Sequence, residues 1–414
     1  MKTPSAETIL ITVSGKDAPG ITSEMTRLLA ESDCEVLDIG QAVLHGLLSL
    51  SILFKPAGTP ASGVLRELEA TAKNLGLQLH ARTLPVSSPS EEGTDALAAR
   101  RQPYAVTLIA ERISASVLHE VTTLLVRHRL NIDAIQRLSE RELSCVELSV
   151  SFPGETAAAG APLDPIALRR ELLDLSARGQ VDIGFQAEGL YRRAKRLVVF
   201  DMDSTLIQNE VIDEFARERG VYERVAAITE EAMRGRLDFQ ESLTRRVREL
   251  QGLTLNEIEN VAARLQLTPG AEELVRILKR LGYKTAIISG GFSVIADRFK
   301  ARLGMDYAYA NSLEMKDGAA TGRVLPPIVD AQRKADLLEV IVQQEKIHLD
   351  QVIAVGDGAN DLLMLDRAGL GIAFNAKPLV REKADLSLSQ KSLQSILYLL
   401  GIPGRDLSEA LKRG

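Results

Sequence analysis

Arg196-Leu-Val-Val-Phe-Asp-Met-Asp-Ser-Thr-Leu206 decides the fold of the C-terminal half. Its apolar run, Leu197 to Phe200, stops abruptly at two aspartates, Asp201 and Asp203. Such a run predicts a strand buried on both faces, as in a parallel sheet. Carboxylates just past its end fall in the crevice where open α/β sheets bind ligands. Two acids two residues apart, followed by Ser204 and Thr205, can hold a divalent cation and offer one oxygen as a nucleophile.

Further apolar runs at 284–288, 352–355 and 370–374 each end in turn or polar residues, with helical segments between them. That alternation predicts α/β architecture, a Rossmann-like, doubly wound parallel sheet. The stretch 208–269 is mostly helical in periodicity and predicts a cap inserted over the crevice.

The N-terminal half reads as a repeat. Strand, helix, strand, strand, helix, strand follow at 8–13, 21–30, 35–41, 47–54, 63–75 and 77–84. The same βαββαβ order, a ferredoxin-like α+β pattern, returns at 105–110, 117–127, 132–137, 145–152, 166–176 and 181–186. Glu24, Thr26, Leu28 and Leu29 correspond to Glu120, Thr122, Leu124 and Leu125, which argues for tandem modules. The expected domains are 1–86, a linker at 87–102, 103–187 and 188–414. An Ala/Gly/Pro-rich loop is expected at 154–165.

Bulk properties exclude several classes. A chain of 414 residues calls for more than one core. A net charge of −6 gives no broad attraction to nucleic acid or anionic membrane, and 4% aromatics leave few stacking platforms. No apolar run approaches a membrane span, and the N-terminus lacks the apolar core of a signal peptide. Two isolated cysteines, Cys34 and Cys145, fit a reducing cytoplasm.

The expected strands converge reactive side chains on one edge of the sheet. Ser289-Gly290-Gly291 follows the second, Lys334 begins a helix before the third, and Gly356-Asp357-Gly-Ala-Asn360-Asp361 follows the third. A single Asp is usually solvated surface charge. Repeated placement at strand ends points instead to phosphoryl transfer, which needs an in-line nucleophile and dense electrostatic stabilisation. Asp201 can attack phosphorus, and Asp203 can serve as acid and then base. Ser289 and the Gly290 amide can hold phosphoryl oxygens, while Lys334 neutralises their charge. Asp201, Asp203 and Asp357 are the expected Mg²⁺ residues, a backbone carbonyl adds a further oxygen, and Asn360 and Asp361 orient the shell.

These four motifs resemble the haloacid dehalogenase-like superfamily, from about Lys195 onward, and the second acid marks its phosphatase branch. The segment from Asp201 to Glu210 is closely similar to the phosphoserine phosphatase family. That resemblance implies that Glu210 binds the substrate ammonium and Arg246 its carboxylate. It also implies that Met233 and Phe239 pack around the substrate and that Asn360 borders it. The repeats resemble ACT domains, which bind amino acids. Asp17-Ala-Pro-Gly20 resembles their ligand turn, whereas Arg112-Ile-Ser-Ala-Ser116 departs from it. The implied protein hydrolyses phosphoserine with Mg²⁺, is regulated by L-serine at Asp17 and Gly20, and forms a homodimer. Rival readings are a phosphatase or phosphotransferase acting on phosphothreonine or homoserine, and a non-catalytic amino-acid sensor.

Overall fold

The computed structural model describes residues 8–57, 60–84, 102–139, 143–152 and 163–402. The chain divides into two compact units, Met1–Leu97 and Ala98–Gly414. The expected linker up to residue 101 and loop residues 154–162 lie outside the described residues.

The first unit runs β1 (Thr8–Lys16), α1 (Ile21–Glu31), β2 (Cys34–Leu44), β3 (Leu47–Pro56), α2 (Ala61–Asn74) and β4 (Gln78–Leu84). Its antiparallel sheet has the order β2-β3-β1-β4. Period-two alternation in β1 places Ile9, Ile11 and Val13 on the helix side, fully buried against Met25, Leu29, Val64 and Leu68.

The second unit opens with the other repeat: β5 (Gln102–Ala110), α3 (Ala115–Arg127), β6 (Asn131–Arg137), β7 (Ser144–Phe152), α4 (Pro165–Gly179) and β8 (Asp182–Ala187). The sheet order β6-β7-β5-β8 repeats that of the first module. Ser114 and Asp164 accept backbone N–H groups at the starts of α3 and α4, satisfying donors that a helix leaves free.

The α/β domain begins with β9 (Leu197–Phe200), followed by four cap helices: α5 (Val211–Glu218), α6 (Tyr222–Met233), α7 (Phe239–Glu249) and α8 (Leu255–Arg264). Then come α9 (Ala271–Arg280), β10 (Lys284–Phe292), α10 (Ser293–Leu303), β11 (Tyr307–Lys316), β12 (Ala319–Leu325) and α11 (Ala331–Glu345). The described chain closes with β13 (Val352–Gly356), α12 (Leu362–Arg367), β14 (Leu370–Phe374), α13 (Pro378–Lys383), β15 (Leu386–Leu388) and α14 (Ser395–Leu399). The seven strands are ordered β12-β11-β10-β9-β13-β14-β15. β9 pairs in parallel with β10 on one side and β13 on the other, so the strand order reverses at β9. Three strands went unanticipated: β11, its antiparallel partner β12, and β15. β10 also extends through Ser289-Gly290-Gly291 to Phe292, past the expected end at 288.

The second repeat shares a core with this domain. Ile109, Leu138 and Cys145, on its sheet face away from α3 and α4, belong to one apolar cluster with Leu386, Leu388 and Leu399. Among the described residues no helix is long and apolar enough to cross a membrane.

Candidate active site

Parallel pairing with both neighbours ends β9 at Phe200, where the Asp201 N–H donates to the Val355 carbonyl at 2.8 Å. The chain then turns tightly, with Ser204 in the left-handed region at φ +58°. Asp201 and Thr205 stay buried inside this turn. The Thr205 hydroxyl donates to Asp357 Oδ1 at 2.8 Å, joining the first and fourth motifs.

Behind them lies Lys334 on α11, completely buried. Its Nζ reaches Asp201 Oδ1 at 2.9 Å and Asp361 Oδ1 at 2.7 Å. The second Asp361 oxygen accepts the Gly358 N–H at 2.9 Å. A side chain at Gly356 would overlap Asp361, with an added Cβ 2.6 Å from its carboxyl carbon. Small backbone at this position therefore lets the strand close onto the ion pair. On the β10 side, the Gly291 N–H donates to Ser289 Oγ at 2.9 Å.

The carboxylates crowd one another. Oxygens of Asp201, Asp357 and Asp361 lie within 4.8 Å, a hard-oxygen donor set that suits Mg²⁺. The Asp203 carboxylate is not in this cluster. It sits against Gly291, whose added Cβ would be 2.8 Å from Asp203 Oδ2, and its Oδ1 is buried without a partner. Asp361, expected to orient the cation site, joins Asp201 and Asp357 in the cluster itself.

Burial, followed by the Asp361 charge, pushes the Asp201 carboxyl up to about 8, with Lys334 opposing. Burial and then Glu210 hold Asp203 well above the usual carboxylate range. Burial and Asp361 push Asp357 up to about 6. Burial would lower the Lys334 ammonium, but Asp201 and Asp361 outweigh it and raise it. A bound divalent cation would stabilise the carboxylate forms of Asp201 and Asp357 and bring these two down.

The cap closes the other side. Asp201, Asp203, Glu210, Met233, Phe239, Arg246, Ser289, Gly290, Asp357 and Asn360 line one cavity of about 380 Å³. Lys334 and Asp361 support it from behind. Phe239 covers Gly290, where an added Cβ would be 3.1 Å from its ring. Glu210 Oε1 accepts the Ser204 hydroxyl at 2.7 Å. Burial lowers the Arg246 guanidinium pKa, while Glu210, Asp213 and Asp203 draw it back up. Met233 is 72% exposed and forms part of the rim.

Asp17 and Gly20 belong to the first unit. Gly20 precedes α1 at φ +97°, and nothing lies within 4 Å of a Cβ placed there. Its glycine is required by backbone conformation rather than by crowding.

Sequence reasoning missed Asn311, Ser242 and Lys377. Asn311, buried on β11, donates to the Gly290 carbonyl at 2.8 Å and accepts the Val329 N–H at 2.7 Å, fixing the Ser289 turn. Ser242 and Lys377 line the cavity. A buried Asn in a strand was the only available signal, and β11 had not been anticipated.

The haloacid dehalogenase-like hydrolase family matches residues 195–369, and ACT-domain families match 7–82 and 103–186. The chain is 41% identical over 410 residues to the phosphoserine phosphatase SerB2 of Mycobacterium tuberculosis, covering 98% of this chain and 96% of that protein. It is 40% identical over 409 residues to a phosphoserine phosphatase of Streptomyces coelicolor, covering 99% and 96%. Its fold matches the crystal structure of a haloacid dehalogenase-family hydrolase from Salmonella enterica serovar Typhi. That match has a TM-score of 0.61 at 32% identity, over 72% of this chain and 98% of that one.

Proposed function

The chain belongs to the phosphoserine phosphatases of the haloacid dehalogenase-like hydrolases, and from this we propose that it hydrolyses O-phospho-L-serine to L-serine and phosphate with Mg²⁺, the last step of serine biosynthesis. The observation that carries the reading is the charge layout of one cavity. Asp201, paired with Lys334 at 2.9 Å, lies on the sheet side, while Arg246 and Glu210 complete the wall. A phosphorylated zwitterion needs a nucleophile and cation at one end, and a cation and anion at the other.

In this mechanism an Asp201 oxygen attacks phosphorus as the phosphorus–oxygen ester bond breaks. Asp203, held protonated by its buried setting, gives its proton to the departing serine oxygen. The resulting carboxylate takes a proton from water, whose oxygen attacks phosphorus and releases phosphate and Asp201. Ser289 and the Gly290 amide donate to phosphoryl oxygens, and Lys334 offsets their charge. Glu210 and Arg246 grip the ammonium and carboxylate, and Met233, Phe239 and Asn360 shape the remaining wall. Asp201 and Asp357 would hold Mg²⁺, with the Asp203 backbone carbonyl and the support of Asp361. When bound, it supplies Lewis-acid neutralisation of the phosphoryl oxygens.

L-Serine would bind the first ACT-like module at Asp17–Gly20 and inhibit. The left-handed Gly20 before a helix N-terminus, with open space around it, supports that reading. Pairing of such modules into a homodimer is supported by β2, an edge strand with exposed Val36, Leu37, Ile39 and Val43. We place this biosynthetic work in the cytoplasm.

The deciding experiment is phosphate release from O-phospho-L-serine, compared with O-phospho-L-threonine, in Mg²⁺ and in EDTA. Rapid metal-dependent release, abolished in folded Asp201→Asn, is expected. No release from folded protein would remove the substrate assignment. Inhibition by L-serine should be lost in the Asp17→Ala/Gly20→Ala double variant, and equal inhibition there would sink the regulatory reading.

A further inference from the structure

Asp182 opens β8 on the sheet face turned away from the module's own helices, and it is 3% exposed. A buried carboxylate requires donors. Three come from the α/β domain: Ser389 N–H at 2.9 Å, Ser389 Oγ at 2.7 Å and Gln390 Nε2 at 3.0 Å.

The contact continues inward. The Gln390 carbonyl accepts Asn375 Nδ2 at 3.3 Å, and the Asn375 N–H donates to the Leu388 carbonyl at 2.8 Å. Asn375 directly follows β14 and has φ +47°. A non-glycine residue persists in that region only where its surroundings hold it. Two residues on, the Lys377 N–H donates to the Asp357 carbonyl at 3.4 Å.

A second link grips the other end of β14. Arg169 on α4 donates to Asp385 Oδ1 at 2.8 Å, and Asp385 Oδ2 accepts the Gly371 N–H at 2.9 Å. The strand beside β13, which leads into Asp357, is therefore tied at both ends to the second ACT-like module.

We infer that Asp182 is a positioning residue for the reaction: through Ser389, Gln390 and Asn375 it holds the turn at 375–377, and with it the Asp357 loop, in the register that binds the divalent cation. The second module thereby has a duty that needs no amino-acid ligand of its own. The inference rests on the reading of Asp357 as a cation ligand. Partners behind metal ligands contribute about 10- to 100-fold in metal affinity, and this more distant link should lie near the lower end.

The test uses the full-length protein and two variants, Asp182→Asn and Asn375→Gly. Asn375→Gly keeps the left-handed backbone and the module junction but removes the side-chain link, so it decides the matter if Asp182→Asn does not fold. Mg²⁺ affinity is read by calorimetry and by the Mg²⁺-induced rise in melting temperature, alongside the Mg²⁺ dependence of turnover. Affinity should fall about tenfold in the folded variants, with the KM for phosphoserine unchanged at saturating Mg²⁺. A folded variant that binds Mg²⁺ like the wild type would overturn the inference. A wild type that binds no Mg²⁺ would overturn the reading of Asp357 beneath it, which is a separate and recognisable result.

Discussion

In the first ACT-like module β1 alternates between fully buried Ile9, Ile11 and Val13 and partly exposed neighbours, whereas the equivalent β5 is buried without a break from Tyr104 to Ala110. The helix sides of both strands read alike, so the difference lies on the other face. There Thr12 pairs across the sheet with exposed His80, while Thr107 pairs with Gly184. An added Cβ at Gly184 would be 2.3 Å from Leu386 Cδ1, which shows how closely β8 lies against β15. Where the second module carries Asp182, the first has exposed Gln78. The contrast teaches that one βαββαβ pattern can serve two ends. With its outer face open it stands as a unit, and with that face covered it becomes a wall of the catalytic domain.

The strongest way to break this contrast is truncation. A chain beginning at Ala98 should fold and release phosphate at nearly the full rate, since Met1–Leu97 is a separate unit. Removing residues through 187 uncovers Leu386, Leu388 and Leu399, and should lower the melting temperature more than any single substitution below. An equally stable shorter protein would refute the contrast.

Charge pairs sharpen it further. Glu147 and Arg192 form a buried pair, extended by Glu188 at 2.7 Å from Arg192. Glu147→Ala leaves the buried guanidinium with Glu188 alone and should cost about 1.5–3 kcal/mol in denaturant unfolding. Arg27, paired with Glu24 and Glu31 on the surface of α1, should be replaceable by Ala with no measurable loss.

Smaller effects are expected from size. Gly184→Val overpacks the contact with Leu386 and should destabilise by about 1–3 kcal/mol, while His80→Val should leave the melting temperature unchanged. Gly20→Ala should cost about 1 kcal/mol for a side chain forced to positive φ. Phosphate release without serine should be unaffected by it.

Much of this was legible beforehand because it is local. Both repeats, the apolar run before Asp201 and the cap helices follow from periodicities spanning a few residues. Of the site, the first, second and fourth motifs were legible because each is contiguous and follows a strand run, and Lys334 because it stands near the start of the helix before β13. What escaped was non-local. Asn311 is meaningful only once β11 lies beside β10. Gly184 and Asp182 differed visibly from His80 and Gln78, but two sequence positions cannot say what will cover them.

The order of elements, the nucleophile's place at a strand end and the kinship of the two repeats are all written locally in the chain. Short-range sterics and hydrophobic period suffice for these. Which repeat shares its core with the catalytic domain was settled by long-range packing. That outcome depends on contacts such as Arg169 with Asp385, 216 residues apart, which form only when distant surfaces bury each other.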